Sequence, residues 1–210
     1  MDTSKIIVFF LLAAVIAGCS ANKASVRKDP SQLYLKAADG GFVTVSELAN
    51  GRDATVLVFW SSTCPCVRRY QERVDSLLDR YPADRVRVIG ISSNAGETFE
   101  KVLKTAGDRG VRIPIYRDEG GFVAKSMGAQ STPTVVVIDK AGNILFFGWL
   151  DNEHLPGDSS RKPWLDLAIE GILNGRRDFS ARTPTYGCTI TKSVFGSPEP
   201  VHSCSHCQSH

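Results

Sequence analysis

Two cysteines separated by a single proline, Cys64-Pro65-Cys66, stand where an apolar, β-rich run from Thr55 to Trp60 gives way to a helix-like pattern. A thiol at the C-terminal end of a strand and the mouth of a helix meets unbonded N–H groups and the positive end of the helix dipole. Those surroundings favour the thiolate, the nucleophilic form. The chemistry within reach is thiol redox exchange, with Cys64 as the attacking group. Pro65 suits the first helical position. The residue before a proline is pushed away from helical geometry, which keeps Cys64 at the helix mouth. An ordinary thiol titrates near about 8.5. The helix end supplies roughly 1 kcal/mol, under one unit. Reaching about 6.5 requires nearly 3 kcal/mol, so hydrogen bonds or a cation must add to it. Arg68 and Arg69 are the nearest cations in sequence; the other reading is that both simply solvate the helix surface.

Cys66 is a candidate resolving thiol. A disulfide with Cys64 would close a small ring around Pro65. Disulfide Cα separations of roughly 4.4–6.8 Å are reached by an i,i+2 pair only in bent backbone. Such a bond would be strained and more oxidising. Two independent thiols, or a pair of metal ligands, are the alternatives.

The elements that must hold these residues follow from hydrophobic period and turn residues. Leu33-Tyr34-Leu35 and Phe42-Val43-Thr44-Val45 flank Asp39-Gly40-Gly41, a hairpin pattern. Ser46-Glu47-Leu48 suggests a helical turn, and Thr55 to Trp60 a buried strand. From Pro65 to Tyr81, apolar Val67, Tyr70, Val74, Leu77, Leu78 and Tyr81 predict an amphipathic helix ended by Pro82. Next come a strand at Val86 to Ile91, a helix from Glu97 to Ala106 closed by Gly107, and a short strand at Ile113 to Tyr116. A short helix from Phe122 to Met127 precedes a strand at Thr134 to Ile138. A turn at 140–143 leads into Ile144 to Trp149, and a last helix spans Lys162 to Leu173. Strands alternating with helices predict an α/β layer structure.

With 210 residues, 42% of them hydrophobic and 22% charged, the chain holds one ordinary domain plus extensions. A net charge of +3 is too small to imply a nucleic-acid partner. Lys5 precedes an apolar run from Ile6 to Ala17. That run is short of the roughly 20 residues a membrane span needs and fits a signal-peptide core. Ile16-Ala17-Gly18-Cys19 resembles a bacterial lipobox, which implies cleavage before Cys19 and lipid on its thiol. The other reading is an ordinary signal peptide with a chance cysteine. The expected organisation is a signal peptide over 1–18, a tether over 19–31, a domain over 32–176 and a tail over 177–210. Export makes disulfides permissible. With Cys19 lipidated, Cys64, Cys66, Cys188, Cys204 and Cys207 are an odd number and cannot all pair within one chain.

Three segments carry a family resemblance. Asp39 to Leu48 resembles the N-terminal hairpin, and Phe59-Trp60-Ser61-Ser62-Thr63-Cys64 the strand leading to the catalytic cysteine. Ser131-Thr132-Pro133-Thr134 resembles the cis-proline segment of the thioredoxin-like superfamily, in its redoxin branch. That branch includes the alkyl hydroperoxide reductase/thiol-specific antioxidant proteins and membrane-anchored thiol–disulfide oxidoreductases. The match covers about Leu33 to Leu173. It implies an α/β, thioredoxin-like fold with an N-terminal β-hairpin extension and a central mixed sheet flanked by helices, Cys64 as nucleophile, and a cis Thr132-Pro133 bond facing it. The usual two-residue spacing would put the second cysteine at position 67, here Val67. The implied function is extracytoplasmic thiol–disulfide exchange that needs no cofactor. Its partners would be protein thiols or disulfides, with a membrane or soluble thiol donor. Peroxide reduction is the alternative. Against it, Ser61 stands where typical peroxiredoxins carry Thr, Leu57 replaces their proline, and no Arg lies immediately before Thr132; Arg112 and Arg117 are substitutes that the sequence does not assign.

Phe147-Gly148-Trp149-Leu150-Asp151, the last helix and Tyr186-Gly187-Cys188-Thr189-Ile190 also resemble a peroxiredoxin-like subgroup of exported redoxins. That likeness makes Cys188 a second candidate resolving thiol; the alternative is a tail thiol with no catalytic part. The end of the chain gathers His202, Cys204, His206, Cys207 and His210. Such a set suits Cu(I) or Zn(II), which supports a third reading as a metal-binding or delivery protein. A Cys204–Cys207 disulfide or a plain polar tail is equally compatible with it.

Overall fold

Alternating side chains of one central strand divide the core into two layers. That strand, β3 (Ala54–Phe59), is buried along its whole length. Val56 and Val58 point to one face, and Leu57 and Phe59 to the other. A run with no polar alternation is the pattern of a strand covered on both sides. The computed structural model describes residues 29–152, 159–176 and 181–191. Cys19 and the cluster His202, Cys204, His206, Cys207 and His210 lie outside them.

The chain begins with the hairpin β1 (Tyr34–Lys36) and β2 (Phe42–Thr44), then the single-turn helix α1 (Val45–Ala49). Thr44 and Glu47 cap α1 reciprocally, side chain to backbone in both directions. After β3 come α2 (Pro65–Asp75), α3 (Leu77–Arg80), β4 (Val86–Ser92), α4 (Phe99–Asp108), β5 (Ile115–Arg117) and α5 (Phe122–Met127). The second half holds β6 (Ser131–Thr132), β7 (Thr134–Ile138), β8 (Ile144–Gly148), α6 (Trp164–Leu173), β9 (Ala181–Arg182) and β10 (Cys188–Thr189). Among the described residues the main sheet runs β2-β1-β5-β4-β3-β7-β8-β9, and β10 pairs with β6 in a separate ladder. β4 is parallel to β3 and β5, while β7 is antiparallel to β3. The sheet is therefore mixed, as the family resemblance implies, and the fold is thioredoxin-like.

Side chains of α2 and α6 cover one face: Tyr70 and Val74 with Leu165, Ile169 and Ile172. The α1 and α5 side chains Val45, Leu48, Val123 and Met127 cover the other. Each such buried aliphatic is worth about 1.5–3 kcal/mol of burial. Asp151 is fully buried and accepts from Arg73 Nη1 at 2.6 Å and Arg161 Nε at 3.0 Å. It fixes α2 against the turn that leads to α6.

Three expectations are corrected. The single helix over 65–81 is two, α2 and α3, broken at Ser76. The Ser76 hydroxyl donates to Arg73 O at 2.8 Å, a local bond that competes with helix propagation. Asp75 also draws the end of α2 aside, accepting the N–H groups of Arg112 and Ile113 at 3.1 and 3.3 Å. The helix expected from Glu97 starts instead at Phe99, because Thr98 caps it through Lys101 N. It passes through Gly107 and stops before Gly110, where φ is +64°. Finally, the domain does not end at 176. Phe146 and Phe147 of β8 pair with β9, and Ile190 is buried in the core.

Candidate active site

Cys64 is the N-cap of α2, with φ −79° and ψ +118°, and Pro65 is the first helical residue. The strand-to-helix corner thus has the form that proline imposes on its predecessor. Trp60, Val67, Val102, Ala106 and Ile115 bury the thiol, which is 1% exposed. The Thr132-Pro133 bond is cis. Thr132 O faces the cysteine and accepts from Cys64 Sγ at 3.1 Å.

β10 supplies the second thiol. It runs antiparallel to β6, with Cys188 opposite Thr132 and Thr189 opposite Ser131. Cys64 and Cys188 are both buried, reduced thiols. The Cys188 side chain hydrogen-bonds Cys64, and this is the largest cause of a Cys64 pKa lowered to about 6. Burial pushes the other way. The Thr132 side chain, the Val67 N–H and the Cys188 backbone add to the lowering. As a thiol, Cys64 gives its proton to Thr132 O; as a thiolate, it accepts from these donors. Neither Arg68 nor Arg69 is among the causes. Hydrogen bonds therefore supply what the sequence left to either bonds or a cation.

The strand carrying Cys188 is held along its length. Trp149 Nε1 donates to Tyr186 O at 2.8 Å, with the two rings edge to face at 5.1 Å. Beyond the cysteine, Ile190 N donates to Gln130 O at 2.8 Å, and Thr191 N to Asn94 Oδ1 at 2.9 Å. Buried Arg117 fixes Asn94 through its carbonyl at 2.9 Å. Gly187 has φ +126°, and a Cβ there would lie 2.0 Å from Thr132 O. Only glycine lets the two strands come this close.

Cys66 does not sit beside Cys64 as a resolving partner. It is fully buried and already disulfide-bonded, and its partner is neither Cys64 nor Cys188. Side chains two apart on a helix do not face each other, which explains the separation. Of the arginines weighed for peroxide binding, Arg112 forms an exposed pair with Asp79, and Arg117 is committed to Ser92 and Asn94.

Several positioning residues escape sequence reasoning. Glu97 Oε1 accepts from Ser61 Oγ at 2.7 Å, Ser62 Oγ at 3.1 Å, Thr63 N at 3.2 Å and Thr63 Oγ1 at 2.9 Å. Arg109 Nη2 donates to Ser62 O at 2.8 Å. The loop before Cys64 is thus gripped from two sides by residues around α4. The hydroxyl run Ser61-Ser62-Thr63, directly after a buried apolar strand and with both serines buried, was the available signal that an acceptor must come from elsewhere. Among the described residues no group of three or more His, Cys, Asp or Glu could hold a metal ion.

The AhpC/TSA family model matches residues 26–147 of this chain. The sporulation thiol-disulfide oxidoreductase A of Bacillus subtilis is 23% identical over 116 residues, covering 55% of this chain and 68% of that protein. The probable β-glucosidase A of Aspergillus clavatus is 34% identical over 122 residues; the match takes in 54% of this chain but only 13% of that protein's length. The crystal structure of a hypothetical protein from Sinorhizobium meliloti superposes with a TM-score of 0.65 at 27% identity, covering 77% of this chain and 91% of that one.

Proposed function

The chain belongs to the AhpC/TSA family, and from that premise we propose that it is a thiol–disulfide oxidoreductase with Cys64 as nucleophile and Cys188 as resolving thiol. One observation carries the reading: the β6–β10 ladder holds two reduced, buried thiols in hydrogen-bond contact at the cis-proline. The likeness to a thiol-disulfide oxidoreductase supports it. The Cys64 thiolate attacks one sulfur of a substrate disulfide and expels the other as thiolate. Cys188 then attacks Cys64 Sγ, expels the remaining substrate thiolate and leaves a Cys64–Cys188 disulfide. A dithiol donor returns the two electrons by the reverse path. Protein thiols and disulfides are the proposed substrates.

A second reading rests on access. Cys64 is almost wholly covered, and β10 occupies the strand position beside Thr132. A small hydroperoxide reaches such a thiol more easily than a polypeptide does. Attack by the Cys64 thiolate would break the O–O bond, give a Cys64 sulfenic acid and release the alcohol (or water from hydrogen peroxide), and Cys188 would then displace water to form the same disulfide. Peptide mapping by mass spectrometry after separate exposure to hydrogen peroxide and to a disulfide substrate decides between them. The expected result is a Cys64–Cys188 bond formed readily with the disulfide. If that bond forms only with peroxide, the second reading replaces the first; if Cys188 never joins Cys64, both fall.

We place the protein outside the cytoplasm as a lipoprotein anchored through Cys19, on the strength of the Ile16-Ala17-Gly18-Cys19 pattern. No helix among the described residues is long and apolar enough to cross a membrane. Cys19→Ala should abolish incorporation of radiolabelled palmitate and leave an unprocessed precursor on an immunoblot. Normal maturation of that variant would sink the anchor.

A further inference from the structure

Reduction of a Cys64–Cys188 disulfide needs a thiol that can reach one of its sulfurs. Cys64 is 1% exposed and Cys188 5% exposed. A cavity of about 130 Å³ reaches Cys188 but not Cys64. Its walls include Cys188, Thr189 and Thr191 of the C-terminal segment, Ser61 and Thr63 of the active-site loop, and Lys101 of α4. At about 30 Å³ per water it has room for roughly four. That is the scale of a small organic thiol and far below that of a polypeptide loop.

The walls are rich in hydroxyls, and Lys101 is the cation among them. Lys101 is exposed, and its ammonium makes no hydrogen bond or ion pair among the described residues. The opposing charge, Glu97, is engaged elsewhere: Oε1 accepts from Ser61, Ser62 and Thr63, and Oε2 is buried. Arg109 and Arg117 are bonded to Ser62 O and Asn94 O. A ligand entering here meets a polar hole beside a cysteine, with one uncommitted positive charge in its wall.

Resting on the oxidoreductase reading, we propose that this cavity binds a small thiol bearing a carboxylate, which Lys101 holds while the thiol reduces the enzyme through Cys188. This entry stands beside the reverse path through Cys64. The donor thiolate attacks Cys188 Sγ, the Cys64–Cys188 bond breaks, and Cys64 leaves as thiolate. A second donor thiolate attacks the donor sulfur of the mixed disulfide and expels Cys188. Two donor thiols are thus oxidised to one small disulfide. The electron pair stays on the enzyme sulfurs, and the Cys188 thiolate takes up a proton that the donors released. The direction of attack suits the site. Cys64 is the sulfur that Thr132, the Val67 N–H and the Cys188 backbone stabilise as thiolate, and the lower-pKa thiol leaves faster.

Two thiols of similar size, 3-mercaptopropionate and 3-mercaptopropanol, separate charge from reactivity when their rates are compared per thiolate. The protein is first oxidised with one equivalent of Ellman's reagent to the Cys64–Cys188 disulfide. Each thiol is then added, samples are quenched in acid, and peptic peptides are mapped by mass spectrometry. Loss of the Cys64–Cys188 peptide gives the rate, and the donor adduct gives the point of attack. The adduct should lie on Cys188. The anionic donor should react about two- to fivefold faster, the range of one exposed ion pair, and the preference should shrink with salt. Lys101→Gln should bring the two donors to equal rates, Lys101→Glu should reverse their order, and Lys101→Arg should keep it. The Thr98 cap uses the Lys101 backbone N–H, so these changes leave α4 capped. An adduct on Cys64, equal rates in the wild type, or a preference that survives in Lys101→Gln overturns the proposal. A protein in which Ellman's reagent leaves Cys188 unjoined to Cys64 refutes the oxidoreductase reading itself, which distinguishes the two failures.

Discussion

Cys188→Ala should stop turnover while barely slowing the first attack. In the wild type, alkylation of Cys64 by iodoacetamide should titrate near pH 6, the value set chiefly by the Cys188 hydrogen bond. Loss of that bond moves the midpoint upward. Even a full return to about 8.5 would cut the thiolate at pH 7 by only about thirtyfold. The more basic thiolate is also the better nucleophile, by about 10- to 18-fold for a Brønsted slope of 0.4–0.5. The net loss in the attack step is therefore about two- to threefold. Resolution loses its nucleophile altogether, so steady-state exchange should fall at least 100-fold, with a mixed disulfide accumulating on Cys64. Mass spectrometry of the quenched reaction shows that adduct directly. Full turnover by the variant would mean that another thiol resolves Cys64, and that the β10 position is incidental.

Gly187→Ala should damage the same step without touching a sulfur. Its Cβ would fall 2.0 Å from Thr132 O and 2.8 Å from Thr132 C, both backbone atoms that cannot swing away. The positive φ adds strain of about 1–3 kcal/mol. For a chain of this size, each kcal/mol lowers Tm by about 2–4 °C. The larger effect is geometric. β10 must lift from β6, and the Cys64–Cys188 contact goes with it. Pre-positioning of reacting groups is worth many orders of magnitude, so Cys64–Cys188 disulfide formation after oxidation should slow at least 100-fold. A variant that crosslinks at the wild-type rate would show that the ladder does not position the thiols. The Trp149–Tyr186 and Asn94–Thr191 anchors flank the change on either side. They should keep the rest of the segment docked, so the core signal in near-ultraviolet circular dichroism should survive.

Local features of the active corner could be read residue by residue. Pro65 determines the conformation of Cys64 before any tertiary contact exists, and Thr132-Pro133 was marked by resemblance alone. The central strands were also legible, because β3 and β7 are continuous apolar runs bounded by turn residues. Ser76 defeated the helix reading because its hydroxyl bond to Arg73 O breaks an otherwise perfect apolar period. Glu97 defeated it because a carboxylate before a capping threonine looks like a first-turn residue, whereas here it turns back into the Ser61–Thr63 loop.

The sequence by itself pointed to the redox class and to Cys64 as the candidate nucleophile, since both readings rest on residue types within one short segment. Which thiol stands beside Cys64 was decided only by the tertiary structure. Chain proximity favoured Cys66, one proline away, yet helix geometry turns the two side chains apart. Cys188 is distant in sequence but adjacent in space, because Gly187 allows a close strand approach and Trp149, Gln130 and Asn94 hold the segment there. Which thiols meet depends on long-range pairing, and no local period or spacing encodes it.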